Sequence, residues 1–202
     1  GALSGWLRVA GYSTIMSSVV IPALAPFLSR NPCVKFSFLT RKMWELPAML
    51  HHGQADWVLT DHPIERAGIE SRVIGRETYV LVESARAAAR GATALDYVPE
   101  DETTARFFRR QSKRPPVERS FLDDIHGVLA GVSGGLGRAV IPRHLIGRGL
   151  PIRVVRGARA IEIPVVLHSL TQPYYSRLHE AALDVFTKEI PPRLATSSAA
   201  LS

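Results

Sequence analysis

The chain has 202 residues, 46% hydrophobic and 21% charged, with 25 basic residues against 18 acidic, a formal net charge of +7 and one cysteine. That length can bury a core as one domain or two small lobes, and the composition is ordinary for a soluble globular protein. Cys33 alone excludes a disulfide framework and a cysteine metal cluster; no window looks apolar for long enough to span a bilayer and no signal peptide precedes Trp6, so a cytoplasmic protein is expected.

Residues 6–10 read as a short strand running into Gly11, and Tyr12-Ser13-Thr14 place hydroxyls where a helix over 15–30 begins. Ile15, Val19, Val20, Leu24 and Phe27 give that helix an apolar stripe, while Pro22 and Pro26 each remove a backbone donor and predict a bend or an early break. Strands follow at 34–40 and 57–60, either side of a helix at 46–52, and then at 70–75 and 78–83. The middle is more polar: an alanine- and charge-rich stretch over 85–101, a helix near 103–110, Pro115-Pro116 and a strand near 117–120. A helix over 122–133 carries Ile125, Val128, Leu129 and Val132 on one face. Gly134-Gly135 supply a left-handed residue at its end, and 137–141 reads as a buried strand stopped by Pro142. Strands near 152–156 and 160–168 lead to a last helix that Pro173 opens and that ends before Pro191-Pro192. The small, polar tail 196–202 is expected to fray. Strands alternating with helices imply an α/β protein with a mainly parallel sheet, and the polar stretch after Val82 divides it into two lobes.

Several of these steps together resemble a known family. The stretch 123–145, DDIHGVLAGVSGGLGRAVIPRHL, has an aliphatic helix, a glycine turn, a small apolar strand and a Pro-x-x-Leu step. Residues 7–11 form a strand ending in glycine, followed by the hydroxyl turn, a helix with an embedded Ile21-Pro22, then Arg30-Asn31-Pro32 and a second strand. Residues 50–59 give a helix-Gly-x-x-Asp-strand step, and 77–82 a strand leading out of the first lobe. In this order the motifs resemble the effector-binding domain of LysR-type transcriptional regulators, over about residues 6–190.

The resemblance implies two Rossmann-like lobes joined by a double-crossing hinge, as in type 2 periplasmic binding proteins. Lobe I would comprise 1–83 and 163–192, lobe II 84–162, and 193–202 a flexible tail; the crossings fall near Glu83-Ser84 and Glu162-Ile163. It also implies a cytoplasmic regulator whose winged helix-turn-helix this chain does not contain, so that DNA is reached only through that absent part. Gly1 in place of Met suggests a processed or excised fragment. The family pairs such domains as dimers or tetramers; Ser17, Val20, Leu24, Phe27 and Leu28 would then supply part of the homodimer surface, unless the whole stripe packs inside its own lobe.

In open α/β sheets, ligands lie beyond the carboxyl ends of the strands. Tyr12, Ser13 and Thr14 combine hydroxyls with helix N-terminal amides, a cradle for a carboxylate or a plain helix cap. Thr40, Arg41 and Met43 follow the second strand, where Arg41 either clamps an anion or is a surface arginine. Thr60, Asp61 and His62 end the third; Asp61 either orients a ligand or caps the turn into Pro63. Ser120 and Phe121 precede the glycine-terminated helix and would face the same cleft, with Phe121 equally suited to a core position. The effector expected is a small anionic metabolite, and no cofactor or metal is called for.

Other patterns point away from catalysis. Gly131-Val132-Ser133-Gly134-Gly135 fits Gly-x-Ser-x-Gly, but a nucleophile elbow follows a strand and opens a helix, and here the order is reversed. His51-His52 are adjacent and point apart, so they are not a metal pair. The basic run Arg106, Arg109, Arg110, Lys113 and Arg114 reads as a solvated helix face and loop. A solute-binding receptor of a transporter would use the same fold and is the competing reading; a small enzyme lacks a nucleophile–base constellation.

Overall fold

The computed structural model describes residues 2–88, 93–114, 118–147 and 149–195. In chain order, β1 (Gly5–Gly11) leads into α1 (Ser13–Ile15), a π-helical stretch (Met16–Val20) and α2 (Ile21–Arg30), followed by β2 (Val34–Thr40), α3 (Leu46–His51), β3 (Trp57–Thr60) and β4 (Ile69–Ser84). Then come β5 (Ala94–Asp96), α4 (Thr103–Arg110), β6 (Arg119–Phe121), α5 (Ile125–Ser133), β7 (Ala139–Pro142), a 3-10 turn (Arg143–Leu145), β8 (Ile152–Val154), β9 (Ile161–Leu170) and α6 (Arg177–Ala195). The chain forms two units, 1–77 with 164–202 and 78–163. It leaves the first inside β4, between Glu77 and Thr78, and returns inside β9, between Ile163 and Pro164.

In the first unit β1 is the centre of a parallel trio. Its residues Gly5 to Gly11 pair with Val34 to Thr40 of β2, and Val9 to Gly11 pair with Trp57 to Leu59 of β3. β9 then runs antiparallel to β3, Thr60 opposite Val166. Alternation sends Leu7, Val9, Trp57 and Leu59 to one face, against the 13–30 helical run and α6, while Ala10 and Val58 meet Leu46, Met49 and Leu50 of α3 on the other.

The helical run 13–30 is long and apolar enough by composition to cross a membrane, contrary to the sequence expectation. Here Ile15, Met16, Val19, Val20, Ala23, Leu24 and Phe27 are buried in the unit's own core. It neither breaks nor stops at its prolines. Both lie on the exposed side, and Pro22 is two residues past the π-helical stretch Met16–Val20, in the first turn of α2.

Strand β4 is likewise one 16-residue strand, not two. Gly75-Arg76-Glu77 looks like an interruption, yet Leu194 Cδ1 lies 2.5 Å from where a Gly75 Cβ would sit, and Glu77 is buried with a partner. The last helix starts at Arg177, where the Ser176 hydroxyl accepts from the His179 amide at 3.1 Å. It continues through Pro191-Pro192 because Leu178, Ala182, Phe186, Ile190 and Leu194 are buried at i, i+4 spacing. Residues 193–195 of the expected tail therefore belong to α6; 196–202, like Pro115-Pro116, lie outside the described residues.

In the second unit β4 pairs antiparallel with β7, Tyr79 opposite Pro142 and Val82 opposite Ala139, and with β8, Ser84 opposite Ile152. Strand β5, hidden in the polar stretch, runs parallel to β6, and all three of its residues are buried. Val80, Val82, Ala139, Ile141 and Leu95 pack on Ile125, Val128 and Val132 of α5; Phe107 of α4 fills a second cluster with Tyr79, Leu81, Val140 and Ile163. Helix α5 begins three residues later than periodicity places it. Asp123 is left-handed (φ 59°), and Asp124 caps the helix by accepting from the Gly127 amide at 2.8 Å. Its end is as expected: Gly135 has φ 78°, the Leu136 amide donates to Gly131 O and the Gly135 amide to Val132 O, a Schellman closure.

Candidate functional site

The register of β1, β2 and β3 sets three loops side by side at their carboxyl ends, since Gly11 lies between Thr40 and Leu59. The Arg41 amide donates to Gly11 O at 3.1 Å, tying the second loop to the first. Tyr12 occupies the N-cap position without a side-chain cap bond, so Ser13 and Thr14 are the first helical residues and not caps. Thr14 is buried; Ser13 and Tyr12 are half-buried. The Tyr12 hydroxyl donates to Glu77 Oε2 at 2.7 Å, linking this loop to the last residue of the unit on β4. Thr40 and Arg41 are exposed, and Arg41 Nη1 donates to Thr40 O. Met43 packs against the Ala10–Leu46 cluster.

The third loop is the most constrained. Thr60 is fully buried, and its hydroxyl donates to His62 O at 2.5 Å. Having spent its one hydrogen, Thr60 Oγ1 accepts from His168 Nε2 at 2.7 Å, and His168 Nδ1 in turn accepts from the Ser71 hydroxyl at 2.8 Å. Burial holds the His168 pKa down to about 4, with the nearby His62 adding to the effect, so the ring is neutral near pH 7. Asp61 Oδ1 accepts from His62 Nδ1 at 2.5 Å, with His62 exposed and Asp61 half-buried.

In the second unit Ser120 and Phe121 are exposed on β6, and Phe121 is not a core residue: the Arg119 guanidinium stands 5.1 Å over its ring. Arg119 Nε donates to buried Asp96 at 2.5 Å, and its Nη atoms reach Pro99 O and Asp101 O. Thr104 Oγ1 donates to the other Asp96 oxygen at 2.5 Å. This cluster fixes the strand that carries Ser120 and Phe121. It escapes sequence reasoning, as do Glu77, Ser71 and His168; the available signal is a polar residue bordering an apolar run, Glu77 before TYVLV and His168 after PVVL.

The expected pairing surface needs correction. Val20 and Leu24 have no exposed area and Phe27 almost none, because all three face their own sheet; Ser17 is exposed, and its hydroxyl donates to Ser13 O. The outer face of the same helix instead lines an apolar groove of about 360 Å³ with Ile21, Ala25, Leu28, Val34, Phe36 and Phe38. Phe36, on edge strand β2, is 53% exposed. No group of three potential metal ligands occurs among the described residues.

Two α/β units joined by two shared strands, with loops gathered at the strand ends, define the type 2 periplasmic-binding-protein-like fold. The LysR substrate binding domain matches residues 1–190, and the chain belongs to that family: it is the effector-binding domain of a LysR-type regulator. Similar solved structures include the Corynebacterium glutamicum OxyR C206 mutant, with a TM-score of 0.76 and 16% identity, covering 98% of this chain and 68% of that one. The Synechocystis PCC6803 CcmR regulatory domain in complex with 2-PG gives 0.76 at 16% identity, covering 93% of this chain and all of the other. Full-length CbnR complexed with its target DNA gives 0.73 at 16% identity, covering 93% and 69%. At such identities the likeness is one of fold. No curated protein matches the chain in sequence.

Proposed function

We propose that this chain senses a small anionic metabolite through the loops after β1, β2 and β3 of the first unit, with Ser120 and Phe121 as candidate contacts on the second, without changing it chemically. The observation that carries the reading is that adjacent loops of one sheet, tied by the Arg41 amide on Gly11 O, bear Ser13 at the amino end of an 18-residue helical run and an exposed arginine, Arg41. Family membership supports it, as does the CcmR relative solved with 2-PG. To act as a sensor, the chain must bind its effector with different free energies in two arrangements, since equal affinity shifts no population. Tyr12 is suited to relay occupancy, because its hydroxyl joins the first loop to Glu77 where the chain leaves the unit. The regulator works in the cytoplasm as a dimer or larger assembly, a second copy covering the Ile21–Phe36 groove, and a winged helix-turn-helix elsewhere in the full-length protein reads its promoter.

A thermal-shift screen over organic, amino and aromatic acids, with product analysis of each hit, tests the proposal. A stabilising acid recovered unchanged, whose effect is lost in Ser13→Ala and Arg41→Gln, supports it. Turnover of the acid, or stabilisation indifferent to both substitutions, overturns it.

A further inference from the structure

Of the 25 basic residues, seven lie in two segments, 106–114 and 155–160, that contain no acidic residue; the other 18 match the 18 acidic residues of the chain one for one. The structure brings these segments together in the second unit. Phe108, Val155, Ala158 and Ile161 all pack against the buried cluster that holds Phe107, and Gln111 clamps the second segment twice: its Nε2 donates to Arg159 O at 2.6 Å and its Oε1 accepts from the Arg159 amide at 3.0 Å. At the end of α4, Ser112 adopts a left-handed conformation (φ 54°), and the Lys113 amide returns to Phe108 O, folding Lys113 and Arg114 back beside the last helical turn. Arg109, Arg110, Lys113, Arg114, Arg156 and Arg159 are all exposed. Glu102 pairs with Arg109 across solvent at 3.3 Å.

We propose that this two-segment basic surface binds the phosphate backbone of duplex DNA, independently of the effector and of any sequence-reading module. A run of cations on one helix is ordinarily a solvated face, but here a bidentate side-chain clamp holds two separate segments together and gathers six exposed cations from both. Forked guanidiniums suit phosphate oxygens. Phe107 is fully buried and Phe108 is half-buried against the same cluster, so neither ring stands out as a platform for unpaired bases; this favours a duplex over single strands. The family is one of transcription regulators, and the polyanion they work beside is duplex DNA.

The test uses the 202-residue chain, a 25-base-pair duplex of arbitrary sequence and no effector, so that its outcome does not depend on the sensing proposal. Affinity is followed by fluorescence anisotropy from low to moderate salt. Binding should weaken steeply with salt, and Arg110→Gln/Lys113→Gln/Arg114→Gln/Arg159→Gln should lower the slope of log K against log salt by about 3 and the affinity at low salt by about tenfold or more. These side chains are exposed and the Arg159 clamp uses only backbone atoms, so the variant should melt at the wild-type temperature. The control Arg138→Gln/Arg153→Gln, whose arginines are bonded to Glu83, should stay within about twofold of wild type. The proposal is overturned by a wild-type salt slope near zero, by a quadruple variant with unchanged slope, by a control that loses as much, or by binding to anionic phosphatidylserine vesicles with none to DNA.

Discussion

The buried His168 makes acid stability a direct readout of the third loop. Its pKa is held at about 4 in the folded chain, against about 6.5 in the unfolded one. The folded ring therefore resists the proton that the unfolded chain accepts. Its stabilising contribution is complete above about pH 6.5, is lost as pH falls from there towards 4, and changes no further below that. The whole gap corresponds to about 3 kcal/mol, of which about 2 kcal/mol disappears between pH 7 and pH 5. His168→Gln removes the titration while Gln keeps a donor for Thr60 Oγ1. His179, whose pKa burial also lowers, remains in both proteins and cancels in the comparison. Urea denaturation at pH 7, 6 and 5 should show wild type losing about 2 kcal/mol more than His168→Gln, whatever the variant's stability at pH 7. Parallel losses in the two proteins would refute a ring buried neutral between Thr60 and Ser71.

Three further perturbations probe other parts of the fold. Gly137→Ala would set a Cβ 2.6 Å from Thr93 O and 3.0 Å from Leu95 Cγ, and thermal denaturation should show a loss of about 1–3 kcal/mol. Asp96→Ala strands the Arg119 guanidinium and the Thr104 hydroxyl and should cost about 3 kcal/mol in urea denaturation, with Asp96→Ala/Arg119→Met recovering part of it. Phe36→Glu puts a charge into the apolar groove on edge strand β2, and sedimentation velocity should show self-association weakened by about tenfold or more with the melting temperature unchanged.

What the sequence discloses and what it hides divides along contact range. The strands 34–40 and 57–60, helix α4 and the glycine closure of α5 rest on local periodicity and turn chemistry, and all are visible before any coordinates. The i, i+4 row from Leu178 to Leu194 is equally visible and outweighs the two prolines, because each step buries apolar surface while the prolines forfeit only isolated backbone bonds. By contrast, Glu77 and His168 border apolar runs with nothing local to betray their partners, which are 65 residues away at Tyr12 and 108 and 97 away at Thr60 and Ser71. Strand β5 hides for the same reason: its buried Asp96 reads as loop until Arg119, 23 residues on, neutralises it. Loop positions at strand ends follow from topology and are legible; how far each loop hydroxyl is already committed is not.

That last distinction decides how Thr60 should be tested. A threonine at a strand end invites replacement by valine to remove a ligand contact, but here the hydroxyl lies inside the unit with its hydrogen on His62 O and one lone pair on His168. Thr60→Val leaves the buried His168 Nε2–H without an acceptor and should cost about 1–3 kcal/mol before any ligand is added. Thr60→Ser keeps the same oxygen and should restore most of that loss. Lost effector binding in valine alone would thus report a displaced Asp61–His62 turn and not a missing ligand bond. Direct contact would instead weaken binding in a Thr60→Val protein whose stability and acid profile match wild type, and that result would dissolve the Thr60–His168–Ser71 chain altogether.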